Sequence, residues 1–416
     1  MNSTLRIALF SHDSLGLGHI RRNRALAFAL AEDLPALTGR RVSGLLIAGS
    51  PEATRFDLPA GWDWVILPGV TPSAGGYEPR ALASSMEGLS ALRAAAITAI
   101  LDQQDPDLFI VDRHPFGIDG ELNEALDHVR ARGCRTVLGL REVLDTPSVI
   151  AREWDRIGGA CTVAAAFDEV WIYGDPAVYD SRVTGEVPVE LARIAECTGY
   201  LALERPTERP AERTRQRTAT TQGRFVLTCL GGGSDGADLA ALAVRARPPV
   251  GHTHLVVTGP QMAIEEFEAL KRSAAESTIV IRHSDDVPGL MARASALVCM
   301  GGYNTLSEVL ATSTPALVVP RNGHRAEQPR RASALAAVGA IDTLSIDRIN
   351  SSELSEWFSR QVDRSIERSH IDLAGLAAVA HLAAELIGPH ITDIVPDHSA
   401  STLGTVASIE EASYAG

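Results

Sequence analysis

The chain has 416 residues, enough for two or three domains, and its 45% hydrophobic and 22% charged residues are ordinary for a soluble globular protein. Lys and Arg number 38 against 52 Asp and Glu, a net charge of -14, which repels phosphate backbones and argues against a nucleic-acid partner. Lys271 is the single lysine, and no glycine-rich loop precedes it, so a Walker-type phosphate lysine and Schiff-base chemistry are both disfavoured.

The five cysteines are widely spaced and form no C-x-x-C, which is neither a disulfide framework nor a zinc site. The start, MNSTLRIALFSHDS, lacks the pattern of a signal peptide. The longest weakly polar stretch, 373–388, carries His381 and Glu385 and is too short to cross a bilayer. The expectation is a cytoplasmic protein with reduced thiols and no transmembrane segment, for which peripheral contact with a membrane stays open.

In chain order, LRIALF, VSGLLIA, WDWVIL, LFIVD, TVLGL and EVWIY read as strands. RRNRALAFALAEDL, ALASSMEGLSALRAAAITAIL and DGELNEALDHVRAR read as helices between them. This alternation predicts an α/β protein with parallel sheets covered by helices on both faces. It breaks at 204–223, a Pro-, Thr- and charge-rich stretch expected to be a linker. It restarts with RFVLTCL, HLVVT, STIVIR, ALVCM and PALVVP. Two domains follow, 1–203 and 224–371, with an apolar helix at 372–388 packing back toward the first and a small, acidic tail at 389–416 expected to be disordered.

The loop after the first strand reads Ser14-Leu15-Gly16-Leu17-Gly18-His19. It suggests a dinucleotide fingerprint, but Arg21 occupies the third glycine position and the second strand ends without a ribose-binding acid, so NAD or FAD is a weak reading. Its glycines let backbone approach a ligand, and His19 opens the following helix, where a protonated imidazole is disfavoured and a neutral base stays available. A helix-capping role is the blander alternative. Asp112 ends the strand 108–112 and is placed to orient His19, or else to cap the next helix. His114 follows it, and Arg141 follows the strand TVLGL, facing either the cleft or a surface ion pair.

In the second half, Gly231, Gly232, Gly233 and Ser234 form a glycine loop after RFVLTCL, suited to a phosphate or simply to a tight turn. The segment 296–310, ALVCMGGYNTLSEVL, runs from a strand through Gly301 and Gly302 into a helix expected to open at Asn304 or Thr305. That turn aims N–H groups at an anion without lysine or metal, and Glu308 is placed to hold two ribose hydroxyls. Thr305-x-x-Glu308 is equally a capping box.

With these motifs in place, the chain resembles the two-domain GT-B-fold glycosyltransferases. The resemblance is to the branch of the lipid II-forming N-acetylglucosaminyltransferase, and within it to a bacterial group of predicted glycosyltransferases. It implies two Rossmann-like domains facing each other across a cleft, the first binding the acceptor and the second a nucleotide sugar. It implies that Gly16, Gly18 and His19 form the loop at the catalytic centre, and that Gly231, Gly232 and Ser234 form the second glycine loop. Asp286 and Val287 fall where the family's backbone meets the base. Gly302, Asn304 and Thr305 fall on the diphosphate turn, Glu308 on the ribose acid, and Glu327 and Gln328 on the pair reading the donor sugar. The residues after Asp112 depart from the family's lipid-acceptor pattern, so no particular acceptor is implied. The resulting expectation is an inverting, metal-independent transferase using a UDP-sugar as co-substrate, with no other cofactor. An epimerase on the same fold and a non-catalytic nucleotide-sugar-binding subunit are the alternatives.

Overall fold

The computed structural model describes residues 4–12, 17–73, 76–206, 223–233, 235–321, 323 and 325–388. Most of the predicted linker and the whole predicted tail, 389–416, lie outside the described residues, as do Gly16 and Ser234.

The first half runs β1 (Thr4–Ser11), α1 (Gly18–Thr38), β2 (Arg41–Ala48), β3 (Trp62–Ile66), β4 (Val70–Ser73), β5 (Gly76–Pro79), α2 (Met86–Gln104), β6 (Leu108–Asp112) and α3 (Asn123–Ala131). It continues with β7 (Arg135–Arg141), α4 (Pro147–Arg156), α5 (Ala160–Ala166), β8 (Glu169–Tyr173), α6 (Val189–Ala192) and β9 (Ala195–Cys197). Seven of its strands form one parallel sheet in the order β3-β2-β1-β6-β7-β8-β9. Strand β6, LFIVD, is buried throughout, because helices cover both faces of a parallel sheet.

The second half runs β10 (Arg224–Cys229), α7 (Ala237–Ala243), β11 (His252–Val257), α8 (Ile264–Ser273), β12 (Thr278–Ile281), α9 (Val287–Arg293) and β13 (Ala296–Cys299). Then come α10 (Tyr303–Leu310), β14 (Ala316–Val318), α11 (Glu327–Ala337), β15 (Asp342–Thr343), α12 (Ser351–Gln361) and α13 (Gly375–Ile387). Its parallel sheet has the order β12-β11-β10-β13-β14-β15.

Both sheets reverse their winding direction once, at β1/β6 in the first and β10/β13 in the second. Such reversals open a crevice beyond the strands' carboxyl ends, and there α/β sheets bind ligands. The register sets Ser11 beside Asp112 and Cys229 beside Cys299, so the predicted loops leave from these crevices. The apolar faces of α1 and α13 share one buried cluster through Leu26, Leu30, Leu34, Leu376, Val379 and Ala383. The antiparallel hairpin β4–β5 stands apart from the sheets, with Val70 and Tyr77 packed against Leu89 and Ile118.

Candidate active site

The first-domain crevice holds a tight charged core. His19 lies in the first turn of α1, and its Nδ1 is 2.7 Å from Asp112 Oδ2. Arg22, one turn on, places Nη2 2.7 Å from each Asp112 oxygen and 3.0 Å from His19 Nδ1. The shorter contact is to the carboxylate, which only accepts, so Nδ1 carries the proton and donates it to Asp112; Arg22 Nη2 then donates to Asp112 and not to the ring, and Nε2 is the basic nitrogen. Burial alone would raise the Asp112 pKa, but Arg22 and His19 outweigh it and hold the carboxyl far below the usual carboxylate range. Burial lowers the His19 pKa, and Asp112 offsets this only in part, so the ring is neutral near pH 7. Asp112 caps no helix.

Sequence reasoning missed His12. It follows β1 directly, at the same reversal point as Asp112, and that position was its signal. Its ring centroid lies 3.7 Å from that of His114 and 6.0 Å from that of His19. Its Nε2 is 3.1 Å from the Tyr77 hydroxyl of β5. His114 is reached through Arg113, a non-glycine residue at φ 69°, a strained conformation of the kind that clusters at functional sites. Burial, then the neighbouring His19, pushes His12 down to about 3, and burial with His12 lowers His114 as well. The rings of His12 and His114 lie against each other at a 36° tilt. Among the described residues, no group of three His, Cys, Asp or Glu is arranged to hold a metal ion.

The second domain meets this core across the cleft. Gly302 is the N-cap of α10, without a side-chain cap, so Thr305 and Glu308 do not form a capping box. Asn304 instead donates Nδ2 to the Gly18 carbonyl at 2.8 Å and accepts from Arg205 at 3.1 Å. Glu308, buried, accepts from Arg21 at 2.6 Å. The Gly231 backbone lies against the Thr305 side chain, which brings the two glycine turns together, and Gly232 follows it in the same turn. A cavity of about 340 Å³ opens beside Glu308, lined by Arg21, Arg24, Arg205, Pro288 and Thr312. Val287 begins α9, one residue before Pro288 in the cavity wall, and exposed Asp286 caps α9 by accepting from the Gly289 N–H at 2.9 Å.

Arg141 is no surface pair. It reaches across to Glu327 at 2.8 Å, beside Arg321, and Gln328 accepts from the Arg321 N–H at 3.2 Å. Burial opposes ionisation of Glu327, but Arg141, Arg331 and Arg321 draw its pKa down to about 2. Thus His19, Asp112, His114 and Gly18 gather on one side of the cleft. Gly231, Gly302, Asn304, Thr305, Glu308, Glu327 and Gln328 gather on the other. Asp286 sits at the periphery.

Residues 227–368 match the glycosyltransferase family 28 C-terminal domain. The UDP-N-acetylglucosamine--N-acetylmuramyl-(pentapeptide) pyrophosphoryl-undecaprenol N-acetylglucosamine transferase of Burkholderia orbicola (strain MC0-3) is 29% identical over 177 residues. That match spans 40% of this chain and 42% of the relative's length. The glycotransferase of kitacinnamycin superposes with a TM-score of 0.55 at 14% identity, over 92% of this chain and 96% of that one. The MurG of Acinetobacter baumannii superposes at 0.51 with 15% identity, over 91% of this chain and 95% of that one. The chain therefore has the two-domain GT-B fold, resembles the lipid II-forming branch of its glycosyltransferases, and carries the family 28 C-terminal domain as its second half.

Proposed function

We propose that this chain is a glycosyltransferase moving a sugar from a nucleotide-diphosphate sugar, most readily a UDP-sugar, to an acceptor hydroxyl. The displacement is inverting and independent of metal, and it takes place in the cytoplasm. The observation that carries this reading is the His19–Asp112 pair, held at 2.7 Å and facing the family 28 turn through the Asn304–Gly18 contact.

His19 Nε2 takes the proton of the acceptor hydroxyl as its oxygen bonds to the anomeric carbon. The bond from that carbon to the diphosphate oxygen breaks, and its electron pair leaves with the diphosphate. Asp112 stabilises the imidazolium that forms and keeps the ring oriented. The α10 N-terminus at Gly302 and Thr305, with the backbone at Gly231 and Gly232, receives the developing negative charge. Glu308 holds the ribose, the backbone at Asp286 and Val287 faces the base, and Glu327 with Gln328 reads the sugar hydroxyls. Arg141 orients Glu327 from the acceptor side.

Nuclear magnetic resonance of the protein with UDP-sugars tests this. Slow donor hydrolysis is expected, with the released sugar first appearing in the inverted configuration and at a rate a chelator does not change. Conversion of the donor to its epimer without release would replace transfer with epimerisation. Donor binding without any turnover, even with a cell extract supplying acceptors, would make the chain a binding subunit.

A further inference from the structure

The reading above gives roles to His19 and Asp112 but none to Arg22, which follows the base one turn along α1. Arg22 is 2% exposed. Its Nη2 donates to both Asp112 oxygens at 2.7 Å, and its Nε stands 3.2 Å from Oδ1. Tyr303, the first residue of α10, sets its ring 5.6 Å from the guanidinium carbon, a cation–π contact brought by the second domain.

The base makes two demands that pull against each other. Asp112 must stay ionised to accept from the Nδ1 proton and hold the ring. The ring must stay neutral, because an imidazolium takes no proton from an acceptor. A lone carboxylate at 2.7 Å meets the first demand and defeats the second, since an opposite charge that close favours the imidazolium. Arg22 answers both. Its charge is the strongest influence holding Asp112 ionised, and with Nη2 3.0 Å from Nδ1 it opposes a second positive charge on the ring.

The other groups facing the pair leave this work to Arg22. His12 after β1 and His114 after β6 are held neutral by burial. Burial likewise raises the phenols of Tyr173 in β8 and Tyr303, which stay uncharged. Arg141 of β7 acts on His19 in the same direction as Arg22 but less strongly, and it is paired with Glu327. Toward the second domain, Arg21 is bound to Glu308, and Arg205 to Asn304 and the Leu201 carbonyl.

Resting on the transferase reading, we propose that Arg22 is the positioning residue of the base: its fork holds Asp112 in line with Nδ1, and its charge keeps His19 neutral while that hydrogen bond is made. His19 then meets the acceptor hydroxyl as a free base at pH values where a bare His–Asp pair would already be protonated.

The test follows the His19 ring by nuclear magnetic resonance in the full chain with isotope-labelled histidine, assigned against His19→Ala, beside the pH dependence of UDP-sugar hydrolysis. In the wild type the ring should titrate below the ordinary value of about 6.5. Arg22→Gln, which keeps an N–H for Asp112 and removes the charge, should raise that midpoint by about 1–2 pH units and move the acid limb of kcat with it. Donor KM should hold. Arg22→Lys, which keeps the charge and loses the fork, should leave the midpoint near the wild-type value while kcat falls. An unmoved midpoint in folded Arg22→Gln overturns the proposal, and so does an Arg22→Lys midpoint that rises as far as that of Arg22→Gln. Circular dichroism checks folding. Should Arg22→Gln not fold, the wild-type titration decides, and a midpoint at or above 6.5 overturns the proposal. Because the ring titration needs no turnover, a raised midpoint in a chain that hydrolyses no donor would remove the transferase reading and leave Arg22's hold on the ring standing. Donor hydrolysis with an unmoved midpoint would do the reverse.

Discussion

At the scale of single residues, His19 and Asp112 divide one task. His19→Ala should lower kcat by about 10²–10⁴-fold while donor affinity holds, because the donor-side groups lie across the cleft. Asp112→Asn should also lower kcat. It keeps a side chain of the same shape but loses the charge that fixes the ring tautomer and balances Arg22. Single-turnover rates beside donor titrations separate the two effects, with circular dichroism to confirm folding. An unimpaired rate in His19→Ala would move the base to another group. The sequence placed both residues at strand or helix ends, and so made them legible. It gave no sign of Arg22 clamping Asp112, a partner 90 residues away, or of Arg21 on Glu308, 287 residues away. The first pairing is set by how α1 packs beside β6 within the first domain and the second by how the two domains close, and no local pattern encodes either.

At the scale of elements, the buried parallel strands were the legible part. LFIVD, TVLGL and ALVCM are near-continuous apolar runs because helices cover them on both sides. The hairpin β4–β5 was illegible: VTPS and GYEP are short, contain prolines and lack apolar alternation, yet they deliver Tyr77 to the site. Strands β9 and β15, of 3 and 2 residues, were too short to read. The second glycine turn carries a sharp steric demand. Gly233 has φ +91°, and a Cβ there would collide with the Thr258 carbonyl, which belongs to the backbone and cannot swing aside. Gly251 has φ +78° with nothing within 4 Å of the same position. Gly233→Ala should therefore lower stability by about 1–3 kcal/mol, and more than Gly251→Ala does. Thermal unfolding of both variants checks this, and equal losses would show that the turn adapts.

At the scale of the whole molecule, the cleft is closed by ion pairs from opposite domains. Arg21 holds Glu308, Arg141 holds Glu327, Arg330 holds Glu186, and Arg331 holds Glu142 at 2.7 Å with both side chains buried. A buried pair adds little net stability but is costly to break on one side, so it fixes how the domains meet. These groups and the histidines also set an acid limit. Glu327 falls from 4.5 to about 2 on folding, so its contribution is full above about pH 4.5 and is lost as pH drops toward 2. His12 falls from 6.5 to about 3, so the unfolded chain takes up its proton first and stability declines as pH drops below 6.5. Unfolding free energy should therefore fall between about pH 7.5 and about pH 5, by up to roughly 1.4 kcal/mol per unit for a fully shifted group. Urea titrations at the two pH values measure it, and a flat or rising profile would refute the assignment.

The packing of α13 on α1 has a consequence for the order in which the molecule can be made. Leu26, Leu30 and Leu34 lie near the start of the chain, and Leu376, Val379 and Ala383 lie beyond the second sheet. On a ribosome, the last strand of the first sheet, ending at Cys197, emerges well before Gly375. At about 5–20 residues per second the interval is roughly 10–40 s. Through that time the part of α1 that α13 covers stays open, although the sheet strands β1 and β2 already cover the rest, so the first domain cannot finish folding as a unit ahead of the second. A nascent chain must either shelter that part or wait with it exposed, and a chain released before α13 is made keeps an apolar patch on α1 for good.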